Sequence, residues 1–331
     1  MKKYRFLCLL LTAVLSLFPL SGCTPSDSGS DRISVVCTIF PEYDWVSQIV
    51  GENSDSFDIA LLTDNGTDMH SYQVSVSDIA LVSSCDVFIY VGGESDEWVD
   101  NVIAGAVNKD IKVINLLDVL GDEVKEEEIA EGMKGEKEPV FGSGDDEESE
   151  EPEYDEHVWL SIRNSKLFVQ AIAEVIAEVD LQHSDYYMAS AESYNNQLDA
   201  LDSKYQQVVD DASGKTLLFA DRFPFRYLID DYELDYYAAF SGCSAETEAS
   251  FSTVTFLSEK MDELGLGSIL ILEGSSSSLA ETVIASTMDS QNKKILTIDS
   301  LQSSTRSEIE AGKSYIGVME SNLEVLKAAL D

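Results

Sequence analysis

Two histidines carry the chemistry most open to this sequence. His70, in Thr67-Asp68-Met69-His70-Ser71-Tyr72, and His157, in Asp155-Glu156-His157-Val158-Trp159-Leu160, each lie within two residues of an acidic side chain and two of an aromatic one. The chain has only one other histidine, His183, against 62 acidic residues. Where imidazole is this scarce, two similar settings 87 residues apart look placed. The natural reason is a metal ion, because imidazole nitrogen binds divalent transition metals far better than solvated carboxylates do.

Carboxylates at strand ends could complete such a site. In parallel α/β sheets, ligands bind in the loops at the carboxyl ends of strands. Asp221 directly follows the run Thr-Leu-Leu-Phe-Ala of residues 216–220, and Asp299 directly follows Ile-Leu-Thr-Ile of residues 295–298. With His70 after the second strand and His157 opening a helical stretch, they give a four-residue metal set of two imidazoles and two carboxylates. An aspartate at such a place can equally cap a helix or hold a turn. His183, beside a serine that could cap the next helix, is expected to be a plain loop residue. The His-Glu-x-x-His zinc motif, Gly-x-Ser-x-Gly, the Walker loop and the dinucleotide glycine fingerprint are all absent. A secreted metallohydrolase using the same four residues remains the enzymatic alternative.

The elements needed to position these residues are legible as an alternation. Short β-branched runs at 33–40, 57–62, 87–91 and 112–115 are interleaved with helical patterns at 43–50, 74–83 and 98–106. Helical spacing continues over 162–179. A stripe of Tyr187, Tyr194, Leu198, Leu201, Tyr205 and Val208 then marks a helix of about 28 residues from Ser184, roughly 40 Å long, ending at Gly214. Strands at 216–220, 236–240, 268–272 and 295–298 follow, with helices at 226–231, 251–264, 279–288 and 315–330. This predicts an α/β protein with parallel sheets covered on both faces, in two halves that share a rhythm but no sequence repeat. The boundaries expected are 33–183 for the first lobe, 184–213 for a connecting helix and 214–331 for the second lobe.

The ends and the composition place the chain. Lys2, Lys3 and Arg5 precede an apolar run to Leu20, closed by Leu20-Ser21-Gly22-Cys23, so residues 1–22 read as an export signal. The closing tetrad resembles the bacterial lipobox, which implies lipidation of Cys23 and a flexible tether over 23–32. No later segment is apolar and long enough to span a bilayer, so the remainder is expected outside the membrane. Cys37, Cys85 and Cys243 form no paired framework, and Cys37 and Cys85 suit core packing. A net charge of −41 excludes nucleic acid as a partner and draws cations. Residues 121–156, with 17 acidic residues against three lysines, are expected to form a disordered loop, either a solvated insertion or a cation collector.

Taken in order, the lipobox, Ile39-Phe40-Pro41, Asp68-Met69-His70-Ser71-Tyr72, Glu156-His157-Val158-Trp159-Leu160, the mid-chain helix and Ile298-Asp299-Ser300-Leu301 resemble the metal-type solute-binding lipoproteins. These are the zinc and manganese receptors of ABC importers, and the resemblance covers residues 33–330. It implies two βα lobes joined by one long rigid helix, with a metal site in the interlobe cleft. It implies His70 and His157 as ligands from the first lobe and Asp299 from the second. The remaining ligand falls in Phe219-Ala220-Asp221-Arg222-Phe223-Pro224-Phe225-Arg226-Tyr227. Matching from the strand side gives Asp221, and matching back from Tyr232 gives Arg222, whose guanidinium cannot bind a cation. Asp221 is therefore expected, with Glu246 or Glu248 in reserve.

The resemblance thus implies a monomeric receptor on the outer face of the bacterial membrane. It would be held by its lipid anchor and would deliver Zn²⁺, or alternatively Mn²⁺, to a membrane permease. A metal-binding adhesin on the same fold is a further alternative.

Overall fold

Buried β-branched runs and amphipathic helices alternate through the chain and assemble into two parallel sheets. The computed structural model describes residues 32–133, 153–244 and 249–331. In the first half, β1 (Ile33–Cys37), α1 (Phe40–Val50), β2 (Phe57–Leu61), α2 (Val76–Ser84), β3 (Val87–Tyr90), α3 (Trp98–Ala104), β4 (Lys112–Asn115) and α4 (Leu116–Leu120) follow one another. Two helices, α5 (Ile162–Val179) and α6 (Ser184–Asp211), lead to the second half. It comprises β5 (Thr216–Phe223), α7 (Arg226–Asp231), β6 (Asp235–Ser241), α8 (Phe251–Glu263), β7 (Ser268–Leu272), α9 (Ser278–Ala285), β8 (Lys294–Ile298), α10 (Arg306–Glu310) and α11 (Tyr315–Leu330).

Within the two sheets every strand pairing is parallel, and the strand orders β2-β1-β3-β4 and β6-β5-β7-β8 are the same topology used twice. The shared rhythm of the two halves is therefore a shared fold, as the α/β two-lobe expectation required.

The 28-residue α6 packs on α5, α1 and α11, so it lies along both lobes. Its buried face is Tyr187, Ala191, Tyr194, Leu198, Leu201, Tyr205 and Val209, a three- and four-residue spacing that holds one stripe inward. The stripe ends on Val209 rather than Val208. The helix stops at Ala212, whose extended backbone breaks it before Gly214 is reached. Buried tyrosine hydroxyls tie these parts together: Tyr205 of α6 donates to the Met319 carbonyl of the second lobe at 2.6 Å, and Tyr315 of the second lobe to the Trp159 carbonyl of the first at 2.7 Å. One apolar core runs through both sheets and these helices. Cys37 and Cys85 lie buried within the first lobe as free thiols.

The acidic segment needs correcting at both its ends. Residues 121–133 and 153–156 are held against the second lobe, while 134–152 lie outside the described residues. Lys125 pairs with Asp230, Glu128 with Arg226, and the Lys125 amide donates to the Tyr227 hydroxyl. Glu126 and Tyr154 form an isolated antiparallel bridge. Composition predicted self-repulsion, but Arg226 of α7 pairs with Glu128, and the segment's own Lys125 reaches Asp230, which holds the chain at these positions. The signal, the tether as far as residue 31 (with Cys23), Glu246 and Glu248 also fall outside the described residues.

Candidate metal centre

The loop after β2 delivers His70. Asp68 caps the short 3-10 turn Met69–Ser71 by accepting the His70 amide at 3.0 Å, which fixes the backbone under the ring. His70 Nδ1 lies 3.0 Å from Ser95 Oγ and 3.4 Å from Glu156 Oε2. Ser95 donates its hydroxyl to Glu156 at 2.6 Å, so its remaining lone pair accepts from His70 Nδ1. Gly93, at φ +82°, makes room for this arrangement: a Cβ there would come within 2.3 Å of Glu156 Oε1.

His157 is completely buried. Asp155 Oδ1 accepts both its backbone amide and its Nδ1, each at 2.9 Å. Trp159 packs its ring 5.4 Å from the imidazole and donates to the Ser300 carbonyl, tying this turn to the loop after β8.

The hydrogen-bond network assigns both histidines the Nδ1–H tautomer, which leaves a lone pair on each Nε2. Those two Nε2 atoms face each other at 3.0 Å. Two acceptors at this separation repel unless a cation lies between them. Burial and then the neighbouring His157 push the His70 pKa down to about 3, so His70 Nε2 keeps its lone pair. Two such nitrogens facing each other suit a metal ion. Carboxylates behind each ring, Asp155 and Glu156, are the partners that orient metal-binding imidazoles and raise their basicity.

A third potential ligand comes from a residue that sequence reasoning left unassigned. Cys243, in the turn after β6, places its Sγ with one ring nitrogen of each imidazole, the three atoms all within 4.8 Å of one another. Burial and then the Glu127 carboxylate push this thiol well above its ordinary pKa. A cavity of about 230 Å³ opens onto His70 and Cys243, and Glu94, Glu127, Glu153 and Glu156 line it. Its walls are acidic, as befits an approach for a cation. No spacing motif singles out Cys243. The available signal was its position just beyond a strand end in the second lobe.

The two predicted aspartates are committed elsewhere. Strand β5 runs on to Phe223 through a register shift between Phe219 and Arg222, so Asp221 sits inside the irregularity and not beyond the strand. Its carboxylate accepts the Leu272 and Arg222 amides, both at 2.9 Å, healing the ladder that the bulge opens. Arg222 instead faces the first lobe, its guanidinium 2.6 Å from Asp68. Asp299 accepts the Leu301 amide at 2.7 Å and pairs with Lys313 at 3.1 Å. Neither aspartate belongs to the cluster formed by His70, His157 and Cys243 among the described residues. His183 lies away from it, bonded to Asp180 beside Tyr187.

Residues 35–329 match the family described as zinc-uptake complex component A, periplasmic (ZnuA). The chain belongs to this family. It is 28% identical to the zinc-binding lipoprotein AdcA of Streptococcus pneumoniae serotype 4 over 331 residues, all of this chain but 62% of that protein. It thus spans about three fifths of the length of the first curated relatives it matches. To the high-affinity zinc uptake system protein ZnuA of Bacillus subtilis it is 27% identical, over 98% of this chain and 95% of that one. The Zn(II)-bound ZnuA-like domain of Streptococcus pneumoniae AdcA is similar in structure, with a TM-score of 0.68 and 26% identity, covering 91% of this ZnuA-family chain and 99% of that domain. The resemblance read from the histidine motifs was to this class of binding protein.

Proposed function

We propose that this chain is an extracytoplasmic receptor that captures zinc and hands it to the membrane permease of an ABC importer. In this reading Cys23 carries a lipid that holds a monomer to the outer face of the membrane. His70 and His157 are ligands to the ion, which is cargo and not a resident cofactor. The observation that carries the reading is the pair of opposed Nε2 atoms at 3.0 Å, with His157 Nδ1 anchored on Asp155 and His70 Nδ1 on Ser95, which Glu156 holds in turn. Membership of the ZnuA family supports zinc as the cargo. Two nitrogen donors also favour zinc over manganese, which prefers oxygen.

Zinc titration of the full-length protein in detergent, read by competition with a chromophoric chelator, tests this. One zinc per chain is expected, with affinity lowered at least ~100-fold in His70→Ala and in His157→Ala, beyond the usual cost of losing a ligand's supporting partner. Wild-type affinity in both variants would overturn the assignment.

A further inference from the structure

Resting on that reading, we propose that Cys243 is a third protein ligand, binding zinc as a thiolate so that the site is His₂Cys. The three candidate donor atoms lie within 4.8 Å of one another. Tetrahedral zinc, with Zn–N of about 2.0–2.1 Å and Zn–S of about 2.3 Å, needs N···N near ~3.3 Å and N···S near ~3.6 Å. The 3.0 Å between the imidazole nitrogens is close to the first of these, so an ion fits with small side-chain adjustments.

The backbone is built to bring this cysteine in. At Gly242 an added Cβ would lie 3.0 Å from His157 Cε1 and 2.9 Å from the Phe223 carbonyl oxygen. A residue with a side chain would force the turn off the imidazole, so glycine lets the chain pass over His157 and present the next side chain to the cavity. Glu127 then accepts the Cys243 amide at 3.0 Å, locking the turn of the second lobe to a segment of the first.

The second lobe's contribution is therefore sulfur. Arg222 occupies the nearby strand end and is engaged by Asp68, leaving Cys243 as the second-lobe member of the cluster among the described residues. When zinc binds, the thiol releases its proton to water, and the fourth coordination position faces the acid-lined cavity. A soft thiolate turns the site towards zinc and further from manganese than two imidazoles alone.

Cobalt(II) substitution of the full-length protein tests the assignment directly. A sulfur-to-cobalt charge-transfer band in the near ultraviolet is expected in the wild type and should vanish in Cys243→Ser and Cys243→Ala. Zinc affinity should fall by at least ~100-fold in both variants. Zinc should also protect Cys243 from alkylation, read peptide by peptide in the wild type, which does not depend on how the variants fold. Cobalt bound without the band, with Cys243 alkylated equally with and without zinc, overturns the thiolate and leaves the receptor reading standing. Failure of the wild type to bind either zinc or cobalt overturns both.

Discussion

The two histidines of the first lobe and the two aspartates of the second, the four candidate ligands of the sequence, are bonded in opposite ways. His70 and His157 each spend one ring nitrogen on Ser95 or Asp155 and keep the other uncommitted. Asp221 and Asp299 have their oxygens taken up by backbone amides and by Lys313. Residue type and neighbourhood thus nominate a candidate, but the atom left uncommitted sets what it can bind. An imidazole can be anchored and still donate, because its two nitrogens point apart. A carboxylate within a bulge or tight turn is readily consumed by the backbone it stabilises.

The widest separation expected between the two regions is in metal affinity. His157→Ala should weaken zinc binding at least ~100-fold, whereas Asp221→Asn and Asp299→Asn should stay within about threefold of wild type. A large loss in either aspartate variant would erase the contrast. Removing the anchors instead of the ligands, with Asp155→Asn or Glu156→Gln, should cost about 10–100-fold in chelator competition.

Asp221→Ala should reverse the pattern. It should leave zinc affinity near wild type but lower unfolding free energy by about 1–3 kcal/mol, because the Leu272 amide loses its acceptor. Denaturant unfolding checks this. Smaller still, Arg222→Gln should tighten zinc by about threefold at low salt, since a positive charge beside the site is lost and Asp68 is freed. The gain should shrink in high salt.

A pH series sharpens the histidine side of the comparison. In the metal-free fold the His70 pKa is depressed to about 3, mainly by burial, against about 6.5 in an unfolded chain. The unfolded state therefore takes up this proton first. The stability linked to neutral His70 is complete above the unfolded value and is lost as pH falls from about 6.5 towards 3. Denaturation of metal-free protein at pH 7 and pH 4.5 should show a smaller loss in His70→Ala than in the wild type.

Much of this molecule was readable in advance where a pattern acts locally. Strands β4 and β7 and helices α5, α7 and α11 follow their predicted limits, since buried runs and helical stripes carry their own period. The ends of the acidic segment were not readable, because their partners, Tyr227, Arg226 and Asp230, are about a hundred residues away. The surroundings of Asp221 were hidden for a related reason. The run Thr-Leu-Leu-Phe-Ala announced a strand ending at Ala220, and nothing in it announced the bulge that carries β5 on to Phe223.

The sequence by itself determined two α/β lobes, a long helix along them and a pair of histidines matched in their settings. Those rest on periodicity and on the scarcity of imidazole, which the chain displays directly. Only the tertiary structure decided which second-lobe side chain meets that pair. It turned Asp221 into its own sheet, drew Arg222 onto Asp68, and let Gly242 pass close enough to His157 to bring Cys243 alongside. A ligand set depends on distances of a few ångströms between residues far apart in the chain, and those distances exist only once the lobes have packed.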